Sequence, residues 1–231
     1  MIIALDGPAG SGKSTIAKQL SQKLGVEYID SGAIYRTLAL YALNEFNGEV
    51  KGNEKAVASY FIRHPESMEV FWEKGSQKIR LMGEDVSEAI RSRTVTTQIK
   101  YIANDEECRD WVNKKIRSLA NQYSFVIDGR DIGTVVFPDS KYKFYLDARP
   151  EIRAKRRALE LNIALEGEPF EQLCNEIVQR DTEDKNRAIA PLKKADDATW
   201  IDTSLLSIEE VIEQLVASIR QAPASTGKSS L

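Results

Sequence analysis

Residues 6–15 read DGPAGSGKST, and this stretch decides the fold. Ahead of it stands a short apolar run, MIIALD, closed by Gly7. Behind it Ile16, Ala17, Leu20 and Leu24 recur at helical spacing until Gly25. The order is therefore strand, glycine loop, helix. Gly7, Gly12, Lys13 and Ser14 match the spacing Gly-x4-Gly-Lys-Ser, a P-loop. Glycines at those offsets let backbone N–H groups converge on an anion, and the N-terminus of the following helix adds its dipole. The reading assigns Gly7, Pro8, Ala9, Gly10, Ser11, Gly12, Lys13, Ser14 and Thr15 to the phosphates of a nucleoside triphosphate. Lys13 is to reach the β- and γ-phosphates and Ser14 to hold Mg²⁺. A second Gly-Lys-Ser at 227–229 lacks the upstream glycine, the strand and the helix, and reads as coincidence.

Further short apolar runs end in an acid at 26–30 (VEYID), 125–129 (FVIDG), 143–147 (KFYLD) and 199–203 (TWIDT). Alternating with helical patterns, they predict an α/β fold with a five-stranded parallel sheet flanked by helices. Residues 64–93 break the alternation with two β-rich runs about the turn EKGSQ, a hairpin inserted as a small substrate-side subdomain. The closing pattern SIEEVIEQLVASIRQ is an amphipathic helix, and 221–231 is unpatterned and reads as a disordered tail. With 32 basic against 35 acidic residues, nothing global suggests a polymeric nucleic-acid or membrane partner, and no apolar run approaches the ~18 residues of a membrane span. The two cysteines, Cys108 and Cys174, lack Cys-x-x-Cys spacing and read as reduced structural thiols of a cytoplasmic protein without a secretory leader. The lone His64 precedes Pro65 in a loop, which leaves histidine-base and histidine-metal chemistry unsupported.

A P-loop does not say whether water or another molecule takes the phosphoryl group. The guanine-reading Asn-Lys-x-Asp string is absent; NKKI at 113–116 lacks the acid. Arginines speak for transfer, because guanidinium meets charge spread over phosphate oxygens. Arg153, Arg156 and Arg157 share a helix face, and Arg180 and Arg187 follow with Asp181 and Asp184 interleaved. The alternative is a solvated charged helix. In YIDSGAIYR (28–36), Asp30 or Ser31 is either an N-cap or, with Arg36 nearby, part of an anion site. The strand at 125–129 delivers Asp128, Arg130 and Asp131 to its C-terminal end, where open α/β sheets bind ligands.

Taken together, DGPAGSGKST, DSGAIYR, GEDVS, DGRDIGTVVFPD and RDTEDKNRAIAPL resemble, in this order, the bacterial cytidylate kinase family over residues 1 to about 220. The resemblance implies a P-loop kinase domain over 1–220, with a monophosphate-binding insertion at 64–93 and a helical lid at 150–190. It implies ATP as phosphoryl donor with Mg²⁺, CMP or dCMP as acceptor, and a monomer. Ser31, Asp131 and Arg109 are then similar to contacts on the cytosine edge, and Arg36 and Arg130 to clamps on the acceptor phosphate. Arg180 and Arg187 resemble arginines bridging the two phosphates, Asp184 a partner of the sugar hydroxyls, and Arg157 the lid arginine. Asp128, with Asp30, would orient water around magnesium. One departure stands out: Lys100 occupies the place where the family commonly has a serine touching cytosine.

Overall fold

The computed structural model describes residues 1–221. Among these the chain runs β1 (Ile2–Asp6), α1 (Lys13–Leu24), β2 (Glu27–Asp30), α2 (Ser31–Glu45), α3 (Glu54–Arg63), β3 (Met68–Glu73), β4 (Ser76–Leu81) and β5 (Glu84–Asp85). It continues through α4 (Arg93–Asn104), α5 (Glu106–Ala120), β6 (Phe125–Gly129), β7 (Tyr142–Asp147), α6 (Pro150–Glu160), α7 (Glu168–Lys185), β8 (Thr199–Asp202) and α8 (Ile208–Gln221). Helix α8 thus includes Gln221, one residue past the boundary read from sequence; residues 222–231 lie outside the described part.

Strands β2, β6, β1, β7 and β8 pair in that order, all parallel, as the alternation predicts. Parallel strands are buried on both faces, so successive residues go to different cores. Ala4, Phe125 and Ile127 pack beneath α2 to α5, while Ile3, Leu5 and Val126 pack beneath α1 and α8. The carboxyl ends of β1, β2 and β6 consequently open side by side, and each hands over to a candidate site segment: Gly7–Thr15, Asp30–Arg36 and Gly129–Asp131.

Between α3 and α4 the chain forms an antiparallel sheet, β3-β4-β5. The sequence shows two of its strands; β5 is only two exposed acidic residues, too short for an alternation to register. This sheet does not extend the main one. Instead the Trp72 indole donates to Tyr28 O at 2.9 Å and the Asp30 amide donates to Gln77 Oε1 at 2.6 Å, so side chains satisfy the open edge of β2.

Helices α6 and α7 form a hairpin around a small core of Ala154, Ala158, Leu173 and Ile177. Cys108 is a buried free thiol pushed well above the usual range by burial, and Cys174 is free and partly exposed. His64 ends α3 at the surface, 3.5 Å from Glu66. No helix among the described residues is long and apolar enough to cross a membrane.

Candidate active site

The glycine loop is pressed between β7 and α6. At Gly7 φ is 148°, and a Cβ would lie 2.0 Å from Leu146 O. Gly10, with φ 75°, would set its Cβ 3.0 Å from Arg153 Cβ. Any side chain at either place collides with its neighbour. No side chain caps α1, so its first-turn N–H groups belong to the loop, the arrangement that suits an oxyanion. Lys13 is buried and bends back over the loop, its Nζ donating to Pro8 O at 2.6 Å and to Ser11 Oγ at 3.2 Å. Burial, helped by the Arg130 charge, holds its pKa well below the ordinary lysine value.

A loop whose N–H groups turn inward presents its carbonyls outward, and these need donors. Two arginines supply them. Arg153 donates to Ala9 O at 3.0 Å and Ala148 O at 2.8 Å and pairs with Asp181 of α7. Arg156 donates to Thr203 Oγ1 at 3.0 Å and reaches Ser11 O at 3.4 Å. The shared arginine face read from α6 therefore divides: Arg153 and Arg156 brace the loop backbone, and only Arg157 faces outward, paired with Glu160 at 2.8 Å.

Beside the loop, Asp128 sits buried at the end of β6. Its oxygens accept from Ser14 Oγ at 2.7 Å and from Tyr28 OH at 2.8 Å. Burial, together with the Asp30 charge, raises its pKa above the usual carboxylate value. Tyr28 escaped the sequence reading because it stands in a strand pattern where an aromatic needs no further explanation.

On the other side of the cleft, Asp30 proves to be the N-cap of α2: Oδ1 accepts from the Ala33 amide at 3.0 Å, while Oδ2 pairs with Arg36 at 2.6 Å. Of the two alternatives left open, the N-cap is the one seen, and the same carboxylate also holds Arg36. Ser31 Oγ donates to Asp128 O at 2.7 Å, leaving its own lone pairs to accept. Arg109 and Asp131 form a buried ion pair, and Arg109 Nη1 also donates to Ala103 O at 3.0 Å. Asp184 pairs with Arg130 at 2.9 Å and Arg187 at 3.4 Å; although burial opposes ionisation, these two guanidiniums hold its pKa below the ordinary value.

Cationic capacity is left over. Arg36 Nε and Arg187 Nε are buried without a hydrogen-bond partner. Arg180, an exposed side chain of α7, forms no ion pair with any described residue, and loss of solvation among its neighbours, with the charges of Arg130, Arg36 and Arg157 nearby, lowers its pKa to about 10. Such surplus like charge is the electrostatic mark of a polyanion site. Lys100 lies at its margin, 4.0 Å from Glu183 of α7, and Arg93 stands 3.4 Å from Glu176 along the same pair of helices.

The family model described as cytidylate kinase matches residues 3–221. The cytidylate kinase of Anoxybacillus flavithermus is 44% identical over 221 residues, 95% of this chain and 96% of its own. That of Caldicellulosiruptor saccharolyticus is 42% identical over 214 residues, 93% of each chain. A solved structure of an uncharacterized protein from Eubacterium ventriosum shares the fold, with TM-score 0.53 at 13% identity, over 96% of this chain and 99% of that one. Motif, geometry and relatives converge, and the chain belongs to the cytidylate kinase family.

Proposed function

We propose that this chain transfers the γ-phosphoryl group of ATP to CMP or dCMP, giving ADP and CDP or dCDP. The carrying observation is the juxtaposition, at the ends of β1, β2 and β6, of a phosphate-cradling loop and an arginine-rich cleft. The loop Gly7–Thr15 holds the donor phosphates, and Lys13 exchanges Pro8 O and Ser11 Oγ for the β- and γ-phosphates. Arg36 and Arg130 hold the acceptor phosphate. Arg180 and Arg187 lie across both phosphates, where the unmet N–H groups of Arg187 find partners. Asp184 accepts from the sugar hydroxyls, and Ser31, Asp131 and Arg109 read the cytosine edge.

The attacking phosphate oxygen is already ionised near neutral pH, so no strong base is needed and a surface histidine is no loss. The obstacle is repulsion between polyanions, which arginines and Lys13 offset by position and charge. Ser14 and Asp128 suit a magnesium ion: both present hard oxygens, and Asp128 is a buried carboxylate held at a cost. No group of three or more acidic, histidine or cysteine side chains among the described residues forms a cage, which fits a cation carried largely by phosphate and water. Magnesium would supply charge neutralisation at the β- and γ-oxygens. The hairpin α6–α7 acts as the lid, bringing Arg157 toward the transferring group and excluding water; β3–β5 forms the acceptor-side subdomain. Free thiols accord with a reducing compartment, and the reading is of a cytoplasmic monomer.

The test is ADP release from MgATP with CMP, dCMP, UMP, AMP or no acceptor. Release with CMP or dCMP and little otherwise is expected. Release dominated by UMP would move base selectivity onto Lys100, and acceptor-independent release would make the protein an ATPase.

A further inference from the structure

Asp6 ends β1 one residue before the glycine loop and is 4% exposed. Its oxygens reach across to the segment after β6. Oδ1 accepts from the Ile132 amide at 2.8 Å and Oδ2 from the Gly133 amide at 2.7 Å. Those amides open a single π-helical turn, Ile132–Val136. The turn closes back on Asp131, whose carbonyl accepts from Val135 N at 2.9 Å and Val136 N at 3.2 Å. Asp131 and Arg130 are therefore held between β6 and a turn that Asp6 anchors.

The fit around this anchor is tight. A Cβ on Gly129 would come 2.6 Å from Ile132 Cγ1, and one on Gly133 would come 3.3 Å from Asp6 Oδ2 and 3.2 Å from Lys143 Cδ. Burial of the carboxylate is unfavourable and raises its pKa to about 6, although the two amides and Lys13 pull it down. A carboxylate that costs stability yet satisfies two amides of one turn is placed there for geometry.

We propose that Asp6 is a positioning residue for the acceptor, tying the root of the donor loop to the turn that presents Arg130 and Asp131. It touches neither nucleotide and acts through the Ile132 and Gly133 amides. The inference rests on the acceptor reading above, and wild-type transfer to CMP, measured first, tests that reading separately.

Asp6→Asn keeps the shape but sets an NH₂ against one of the two N–H donors. Small displacements of positioning groups carry large kinetic penalties, so its KM for CMP is expected to rise ~10-fold or more, with KM for ATP within about twofold of wild type. Gly133→Ala disturbs the same contact from the other side and is expected to give the same split. Because both variants break one contact, their effects on KM for CMP should combine to less than the product of the singles. Should Asp6→Asn fail to fold, the Gly133→Ala split decides alone. An unchanged KM for CMP, a parallel rise for both nucleotides, or independent multiplication of the two effects would overturn the proposal.

Discussion

Gly7–Thr15 is one continuous stretch, and in the proposed function its backbone is the binding surface. The acceptor cleft instead gathers Asp30 and Arg36 from α2 and its cap, Arg109 from α5, Arg130 and Asp131 from the turn after β6, and Arg180 and Asp184 from α7, with Arg187 just beyond. The loop is built before any ligand arrives: its glycines hold left-handed φ angles, and its carbonyls are braced by Arg153 and Arg156. The cleft is neutralised internally, with Arg36 on Asp30, Arg130 on Asp184 and Arg109 on Asp131. On the proposed function, one region would bind through preorganised dipoles. The other would bind by exchanging ion-pair partners, with its geometry resting, as proposed, on supports such as Asp6.

The largest effects should come from the loop. Lys13→Ala is expected to lower kcat/KM by ~10³-fold, the scale of losing a preorganised charge at a transferring group, with the thermal midpoint nearly unchanged. Turnover near wild type would remove Lys13 from the chemistry. Gly7→Ala should cost stability instead, by about 4 kcal/mol, because its Cβ meets Leu146 O and its φ excludes a side chain. Denaturant titration reads this, and a midpoint equal to wild type would mean the loop is not held as described.

Asp6 stands at the seam of the two regions and gives a pH signature. Its pKa rises from 3.8 to about 6 in the fold, so the folded state favours the neutral form. The associated stability is complete below about pH 4 and is lost as pH rises through about 6, by at most about 3 kcal/mol. Asp6→Asn cannot ionise. Wild-type stability relative to this variant should fall as pH rises from 4 to 7, and a gap independent of pH would contradict the burial of a charged Asp6.

On the cleft side, Asp184→Ala leaves Arg130 and Arg187 without their carboxylate, and KM for CMP should rise ~10-fold while KM for ATP moves less. Equal changes for both nucleotides would erase the distinction between the regions. The smallest effect belongs to Lys100. Its pairing with Glu183 is exposed, and such pairs contribute about 1 kcal/mol or less, so Lys100→Ser should change kcat by no more than about fivefold and lose even that in high salt. A larger change confined to CMP would make Lys100 a base contact.

The two regions also differ in how they read from sequence. The loop was legible because the constraint is local: glycines at fixed offsets between a strand and a helix admit few geometries. The five parallel strands were legible for the same reason, each a short apolar run ending in an acid. The arginines of α6 were legible as a shared face but not in their partners, since the need of the loop carbonyls for donors arises only when α6 folds against Ala9 and Ser11. Asp6 and Tyr28 were hidden because they act on residues more than a hundred positions or about a hundred positions away in the chain, through hydrogen bonds that no spacing records. Strand β5 is too short to carry a period.

Transfer rather than hydrolysis is the central claim, and ³¹P NMR of purified protein with MgATP and CMP tests it directly. The γ-phosphate signal of ATP should disappear as the β-phosphate signal of CDP grows in equal amount, with no inorganic phosphate. Inorganic phosphate accumulating in place of CDP would contradict it.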